Sequence, residues 1–145
     1  MPAHIRLALQ SDLPDIFFVR TSVRENHLSV EQLSQMGITQ QAVSDMLSAS
    51  PCAWVAEVDG RVVGFSMIDI EEASLFAAFV LPSHEGRGLG RELVLAAEER
   101  LFELHSEIWL ETGRHTRAAG FYRSLGWGNE QDIGSMDIRL TKRRP

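Results

Sequence analysis

The sequence predicts an α/β layered fold: a mixed, mostly antiparallel central sheet of about six to seven strands, covered by about four helices. Three observations carry that prediction. Apolar residues alternate at period two in some short runs and recur at helical spacing in others. An Asp59-Gly60 pair separates two apolar runs, which is the signature of an antiparallel hairpin with a type I′ turn. A strand–helix–strand order between Leu75 and Leu110 implies a local parallel pair joined by a crossover.

Taken in order, Ile5, Leu7 and Leu9 alternate with Arg6, Ala8 and Gln10, giving a first strand with one buried face. Ser11 or Asp12 then caps a helix that tolerates Pro14 in its first turn. Ile16, Val19, Arg20 and Val23 run at helical spacing along it. Polar residues from Arg24 to Gln35 break the pattern. Thr39 is the next N-cap, with Ile38 and Val43 spaced as a hydrophobic staple and Met46 and Leu47 continuing the apolar face. Trp54–Val58 and Arg61–Ile70 are the hairpin strands. Leu75–Leu81 is nearly all apolar and so reads as a central strand.

A glycine-rich loop follows, then a helix over Gly90–Glu103 with Leu89, Leu93, Ala97 and Leu101 on one stripe. Ile108–Leu110 is a short strand. Arg114–Leu125 is a helix carrying Ala118, Phe121, Tyr122 and Leu125 on one side, with Gly126 at its C′ position. Two strands close the chain, the second with Met136, Ile138 and Leu140 alternating with Asp137 and Arg139. With 145 residues, no internal repeat and no low-complexity linker, residues 1–145 are expected to form one domain.

Composition narrows the partners. Acidic residues number 20 and basic residues 14, a net charge of −6, and Lys142-Arg143-Arg144 is the only basic run, so no nucleic-acid partner is expected. The single cysteine, Cys52, precludes an intrachain disulfide, points to a reducing compartment and reads as a buried structural thiol. The N-terminal residues form no apolar signal segment, and Leu75–Leu81 is too short to span a bilayer, so a cytoplasmic protein without a membrane partner is expected. The 5 histidines, at positions 4, 27, 84, 105 and 115, are scattered, and no metal site is expected.

The most informative segment is Phe76-Ala-Ala-Phe-Val-Leu-Pro-Ser-His-Glu-Gly-Arg-Gly-Leu-Gly-Arg91. Gly86, Gly88 and Gly90 alternate directly before a helix, so backbone N–H groups can converge beside a positive helix end. That is a cradle for phosphate or pyrophosphate. A Walker loop would need Gly-Lys-Ser/Thr, and Gly90-Arg91-Glu92 lacks both side chains. A dinucleotide fingerprint would need a third glycine where Arg91 stands. The remaining pattern, Q/R-x-x-G-x-G/A, reads here Glu85-Gly86-Arg87-Gly88-Leu89-Gly90.

That loop resembles the pyrophosphate loop of the Gcn5-related N-acetyltransferase (GNAT) family. The approach Val80-Leu81-Pro82, the following helix and the later Arg117-Ala-Ala-Gly-Phe-Tyr-Arg-Ser-Leu-Gly-Trp127 are similar to the family's main motifs, as is the element order from Ile5 to Leu140. The chain departs from the family at Glu85, where Gln or Arg is usual, and at His115, where Asn is common. A carboxylate about 4 Å from a pyrophosphate would cost about 4 kcal/mol at an effective dielectric near 20, so Glu85 is expected to turn to solvent. Arg87, Arg91 and backbone N–H groups are expected to hold the phosphates.

The resemblance implies a GNAT-like acyl-CoA N-acyltransferase fold and acetyl-CoA as co-substrate. It implies a primary amine of a small molecule as acceptor, and a possible homodimer. A non-catalytic acyl-CoA-binding module or a protein N-acetyltransferase are the alternatives. Cofactor contacts are expected from Phe79, Val80, Leu81, Gly86, Arg87, Gly88, Leu89, Gly90, Arg91 and His115. The family's central strand parts from Ile108–Glu111 to admit the pantetheine arm, with an oxyanion donor expected near Val80. Tyr122 matches the family's proton donor.

The base is less legible, because Leu75–Leu81 holds no carboxylate. Glu111 ranks first as candidate, followed by Asp69, Glu71, Glu25 and His27, with a water chain as an equal alternative. Glu72 reads with Asp69 and Glu71 as an exposed acidic strand end, and His84 as a surface residue.

Overall fold

The computed structural model describes residues 3–24 and 27–145, and its elements follow the expected order with one helix added. The elements are β1 (His4–Leu7), α1 (Leu13–Ser22), α2 (Val30–Gln35), α3 (Gln40–Ala49), β2 (Ala53–Val58), β3 (Arg61–Asp69) and β4 (Ser74–Val80). After them come α4 (Leu89–Leu104), β5 (Glu107–Gly113), α5 (Arg117–Ser124), β6 (Gly128–Gly134) and β7 (Asp137–Arg143). Short 3₁₀ turns at Gln10–Asp12 and Pro82–His84 lead into the loops before α1 and α4.

The strands form a 7-stranded sheet in the order β1-β2-β3-β4-β5-β7-β6. Every neighbouring pair is antiparallel except β4–β5. Helices cover both faces. Ser66 donates its hydroxyl to the Leu93 carbonyl across the α4 face at 2.9 Å. On the opposite face, Phe65, Met67 and Ala77 meet Ile16 and Phe17 of α1 and Val43 of α3. The expected stripe of α4, Leu89, Leu93, Ala97 and Leu101, is fully buried, as are Ile138 and Leu140 of β7.

Local chemistry accounts for most boundaries. Asp59 and Gly60 take φ of 52° and 77°, as the type I′ hairpin requires. Thr39 and Thr116 cap α3 and α5 by accepting N–H bonds from Ala42 and Ala119. Because Thr116 is the cap, α5 begins at Arg117 rather than Arg114. Helix α2 was hidden by its polar sequence. Its signal is the capping box of Ser29 and Gln32, whose side chains each bond the other's backbone N–H.

Two expectations fail at the start of the chain. Leu7 and Leu9 are 47% and 58% exposed, not buried, because β1 is the sheet's edge and ends at Leu7. Asp12 precedes α1, but its carboxylate makes no helix-cap bond. It accepts from the Leu9 N–H at 2.7 Å and from Arg6, whose guanidinium also reaches Glu57 of β2. Met136 also leaves its expected strand, occupying the β6–β7 turn at φ 67°. Cys52 is buried as expected, and burial pushes its thiol pKa up.

A buried polar knot ties the C-terminal half together. Glu98 of α4 accepts from Lys142 Nζ of β7 at 2.7 Å and from Trp127 Nε1 at 3.0 Å, and Lys142 also donates to the Leu125 carbonyl. This anchors the end of α5, and with it Tyr122, against α4. No helix among the described residues is long and apolar enough to cross a membrane.

Candidate active site

The site is built where the sheet comes apart. Strands β4 and β5 share one register pair, Ser74 with Trp109, while β4 stays paired to β3 as far as Val80. Beyond Ser74 the β5-facing edge of β4 is therefore unpaired. Phe76 is an extra residue in the β3–β4 ladder, since Ala77 opposes Met67 and Leu75 opposes Ile68. Such a bulge re-aims a strand locally. The Leu81 N–H donates to the Val63 carbonyl of β3 at 2.8 Å. Successive N–H groups of a strand alternate in direction, so the Val80 N–H points into the gap.

The glycine loop lies at the open end of this gap. Gly86 and Gly88 take φ of 77° and 82°, and Gly88 is the N-cap of α4 without any side-chain cap. The first α4 bond runs from the Glu92 N–H to the Gly88 carbonyl, so the N–H groups of Leu89, Gly90 and Arg91 have no helical acceptor. A Cβ on Gly90 would stand 3.6 Å from Phe121 Cζ and 3.9 Å from Val80 Cγ2, so glycine leaves a methyl-sized slot between α4, α5 and β4. Arg87 and Arg91 are exposed on the loop and the first turn of α4.

The remaining expected residues are distributed unevenly around that slot. Val80 faces it, and Leu81 is buried behind it. Leu89 buries its side chain in the core and offers the site only its backbone. Phe79 turns its ring to the α1 face, 5.8 Å from the Phe65 ring and 4.3 Å beneath the Arg20 guanidinium. His115 is exposed one residue before the Thr116 cap. Tyr122 is buried between Phe121 and Trp127, at centroid distances of 5.4 and 6.1 Å. Burial alone pushes its phenol pKa well up, so it stays protonated near neutrality.

The candidate bases scatter. Glu111 sits at the open end of β5, but Arg139 of β7 donates two hydrogen bonds to one of its oxygens, at 3.1 and 2.5 Å. Arg139 in turn stacks 4.1 Å over the Trp109 ring. Asp69 ends β3 and Glu71 and Glu72 lie in the β3–β4 turn, all at the closed end of the β4–β5 pair. His27 bonds the Thr21 carbonyl, His84 bonds Ser83, and Glu25 lies outside the described residues. No group of three or more metal-ligating side chains is found among the described residues.

Two features were not legible in the sequence. Glu85 does not simply turn to solvent: Arg117 in the first turn of α5 pairs with its carboxylate at 3.3 Å and offsets its charge at the loop. The second is an apolar cavity on the α1 face beside Phe76 and Ala77. Its walls come from five separate elements, α1, α2, α3, β3 and β4, together with Ile38 just before the α3 cap, so no local pattern marks it.

Comparison with known proteins agrees with this geometry. A family model described as the acetyltransferase (GNAT) family matches residues 13–127. The peptidyl-lysine N-acetyltransferase YiaC of Escherichia coli strain K12 is 34% identical over 86 residues, covering 59% of this chain and 56% of that protein. An uncharacterized N-acetyltransferase of Archaeoglobus fulgidus is 33% identical, covering 56% of this chain and 63% of that protein. The chain thus spans less than two thirds of the length of these curated relatives. Among solved structures, the PaiA N-acetyltransferase of Thermoplasma acidophilum in complex with coenzyme A has a TM-score of 0.79 at 18% identity, covering 99% of this chain and 100% of that one. At that identity the match shows a shared fold.

Proposed function

The chain belongs to the acetyltransferase (GNAT) family, and from that premise we propose an N-acetyltransferase that moves the acetyl group of acetyl-CoA to a primary amine of a small molecule by direct attack. The observation that carries this reading is the parting of β4 from β5 directly beside the capless start of α4. The residues present fit a CoA arm. Unpartnered N–H groups at Leu89, Gly90 and Arg91 suit its pyrophosphate, with Arg87 and Arg91 adding charge.

Acetyl-CoA supplies the acetyl group as a thioester. The Val80 N–H would donate to the acetyl oxygen as negative charge develops there, a contribution of about 10²–10³ in rate for one good donor. The Tyr122 hydroxyl would give its proton to the leaving sulfur, worth about 10²–10⁴. Burial keeps the phenol protonated and also makes it a weaker acid, so its donation depends on the leaving sulfur being the stronger base. Arg139 already donates to Glu111, and proton removal from the amine is assigned to solvent in this reading. His115, exposed and outside the cap, is left without a defined contact in this reading.

The test is thiol release from acetyl-CoA with a panel of small primary amines. Release with at least one amine supports transfer; CoA binding without release for any amine would leave a binding module. A peptide acceptor is the second reading, favoured by the name of the Escherichia coli relative. Release with lysine peptides but not with small amines would establish it.

A further inference from the structure

Helix α5 ends in a Schellman motif. The Trp127 N–H donates to the Tyr122 carbonyl and the Gly126 N–H to the Arg123 carbonyl, both at 3.1 Å, with Gly126 at φ 96°. Such a motif brings the residue beyond the turn against the residue whose carbonyl it bonds. Here the Trp127 ring meets the Tyr122 ring edge-on at 6.1 Å. The turn is then held from outside the helix. Glu98 of α4 accepts from Trp127 Nε1 with Oε2, at 3.0 Å, and from Lys142 Nζ with Oε1, at 2.7 Å. Lys142 also donates to the Leu125 carbonyl at 2.7 Å, which the helix itself leaves without a donor. Glu98 and Trp127 are 5% and 2% exposed, so water does not compete for these bonds.

The same helix carries both ends of the site. Its first N–H groups form the phosphate cradle at Leu89, Gly90 and Arg91, and Glu98 lies about 14 Å further along at 1.5 Å per residue. A buried ion pair is often no more stabilising than an apolar pair of the same volume.

We propose that Glu98, acting with Lys142 and Trp127, is a positioning residue for the transfer: it fixes the Tyr122 side chain relative to the start of α4, and so aims the phenol at the leaving sulfur of a CoA held there. The inference rests on the reading of Tyr122 as proton donor. In that step the proton passes from the phenol oxygen to sulfur as the carbon–sulfur bond breaks, and solvent, which took a proton from the amine, returns one to the phenolate. A misplacement of about 1 Å can cost about 10² in rate. Glu98 is far from the cradle, so its loss should appear in kcat and leave CoA affinity in place.

Tyr122 is the chain's single tyrosine, so ¹³C-tyrosine labelling gives an NMR ring spectrum from this residue alone. The variants are Glu98→Gln, which removes the charge, and Trp127→Phe, which removes the indole N–H and spares the Glu98–Lys142 pair. Trp127→Phe decides the matter if Glu98→Gln does not fold. Each folded variant should split or broaden the ring signal and lower kcat by about ten-fold or more, with the Kd for CoA within about two-fold of wild type. Combined with Tyr122→Phe, each should lower kcat by less than about two-fold further, while its loss in melting temperature persists. Fully additive losses in kcat would make the arrangement purely structural and overturn the proposal.

A kcat that collapses in Tyr122→Phe but ignores both other variants would keep the proton donor and overturn its positioning by Glu98. A ring loosened in both variants, with kcat indifferent to Tyr122→Phe, would overturn the proton-donor reading and with it the catalytic purpose of the Glu98 contacts.

Discussion

Replacing Gly88 by alanine separates the backbone strain of the glycine loop from its role as an anion cradle. Gly88 has φ +82°, and an added Cβ would meet nothing within 4 Å. Gly60 in the β2–β3 turn is its natural control, with φ +77° and the same open surroundings. Left-handed backbone costs an L-residue about 1–2 kcal/mol, so Gly88→Ala and Gly60→Ala should be destabilised alike. At about 2–4 °C per kcal/mol for a chain of this size, each should melt about 2–8 °C lower. Only Gly88 adjoins the unpartnered N–H groups at the start of α4. Losing one charge-assisted N–H contact to phosphate costs about 1.5–3 kcal/mol, or about ten- to 150-fold in Kd. Calorimetric titration with CoA, run beside thermal melts, reads both terms. Equal CoA affinity in the two folded variants would refute the cradle.

Tyr122→Phe should lower kcat by ten-fold or more while leaving CoA affinity unchanged, the pattern of a lost transition-state donor; an unchanged kcat reduces Tyr122 to packing against Phe121 and Trp127. Glu111→Gln should change kcat by less than about three-fold, because the exposed pair with Arg139 is worth about 0–1 kcal/mol and the carboxylate is not free; a collapse in steady-state rate would restore Glu111 as the base. Acid should weaken the fold through Asp12, whose hydrogen bonds from Arg6 hold its carboxyl pKa below the usual range, with burial opposing and the Leu9 N–H assisting. A depressed folded pKa means that the stabilisation is complete above the unfolded value of about 3.9 and is lost as pH falls through the folded value. Urea midpoints of the wild type should therefore fall more steeply below about pH 4 than those of Asp12→Asn; parallel curves would remove Asp12 from the acid transition.

What the sequence determined is whatever a few neighbouring residues decide between themselves. Asp59-Gly60 dictates a hairpin because both positions tolerate positive φ. Thr39 dictates a helix start because its oxygen reaches an N–H three residues on. The alternating glycines dictate a bare helix end because Gly88 has no side chain with which to cap it. Even the overlooked helix α2 was written locally, in the reciprocal bonds of Ser29 and Gln32. The tertiary structure decided everything that depends on which distant groups meet. Glu111 carries the right chemistry for a base, yet Arg139 of a neighbouring strand binds it. Glu85 carries the wrong charge for a phosphate loop, yet Arg117 of α5 offsets it. The β4 sequence reads as a fully central strand, yet its outer half is partly exposed because β5 diverges after Ser74. The apolar cavity beside that gap has walls from five elements. Side-chain contact is a property of three-dimensional distance, and periodicity along the chain records only which face a residue occupies, not what stands opposite.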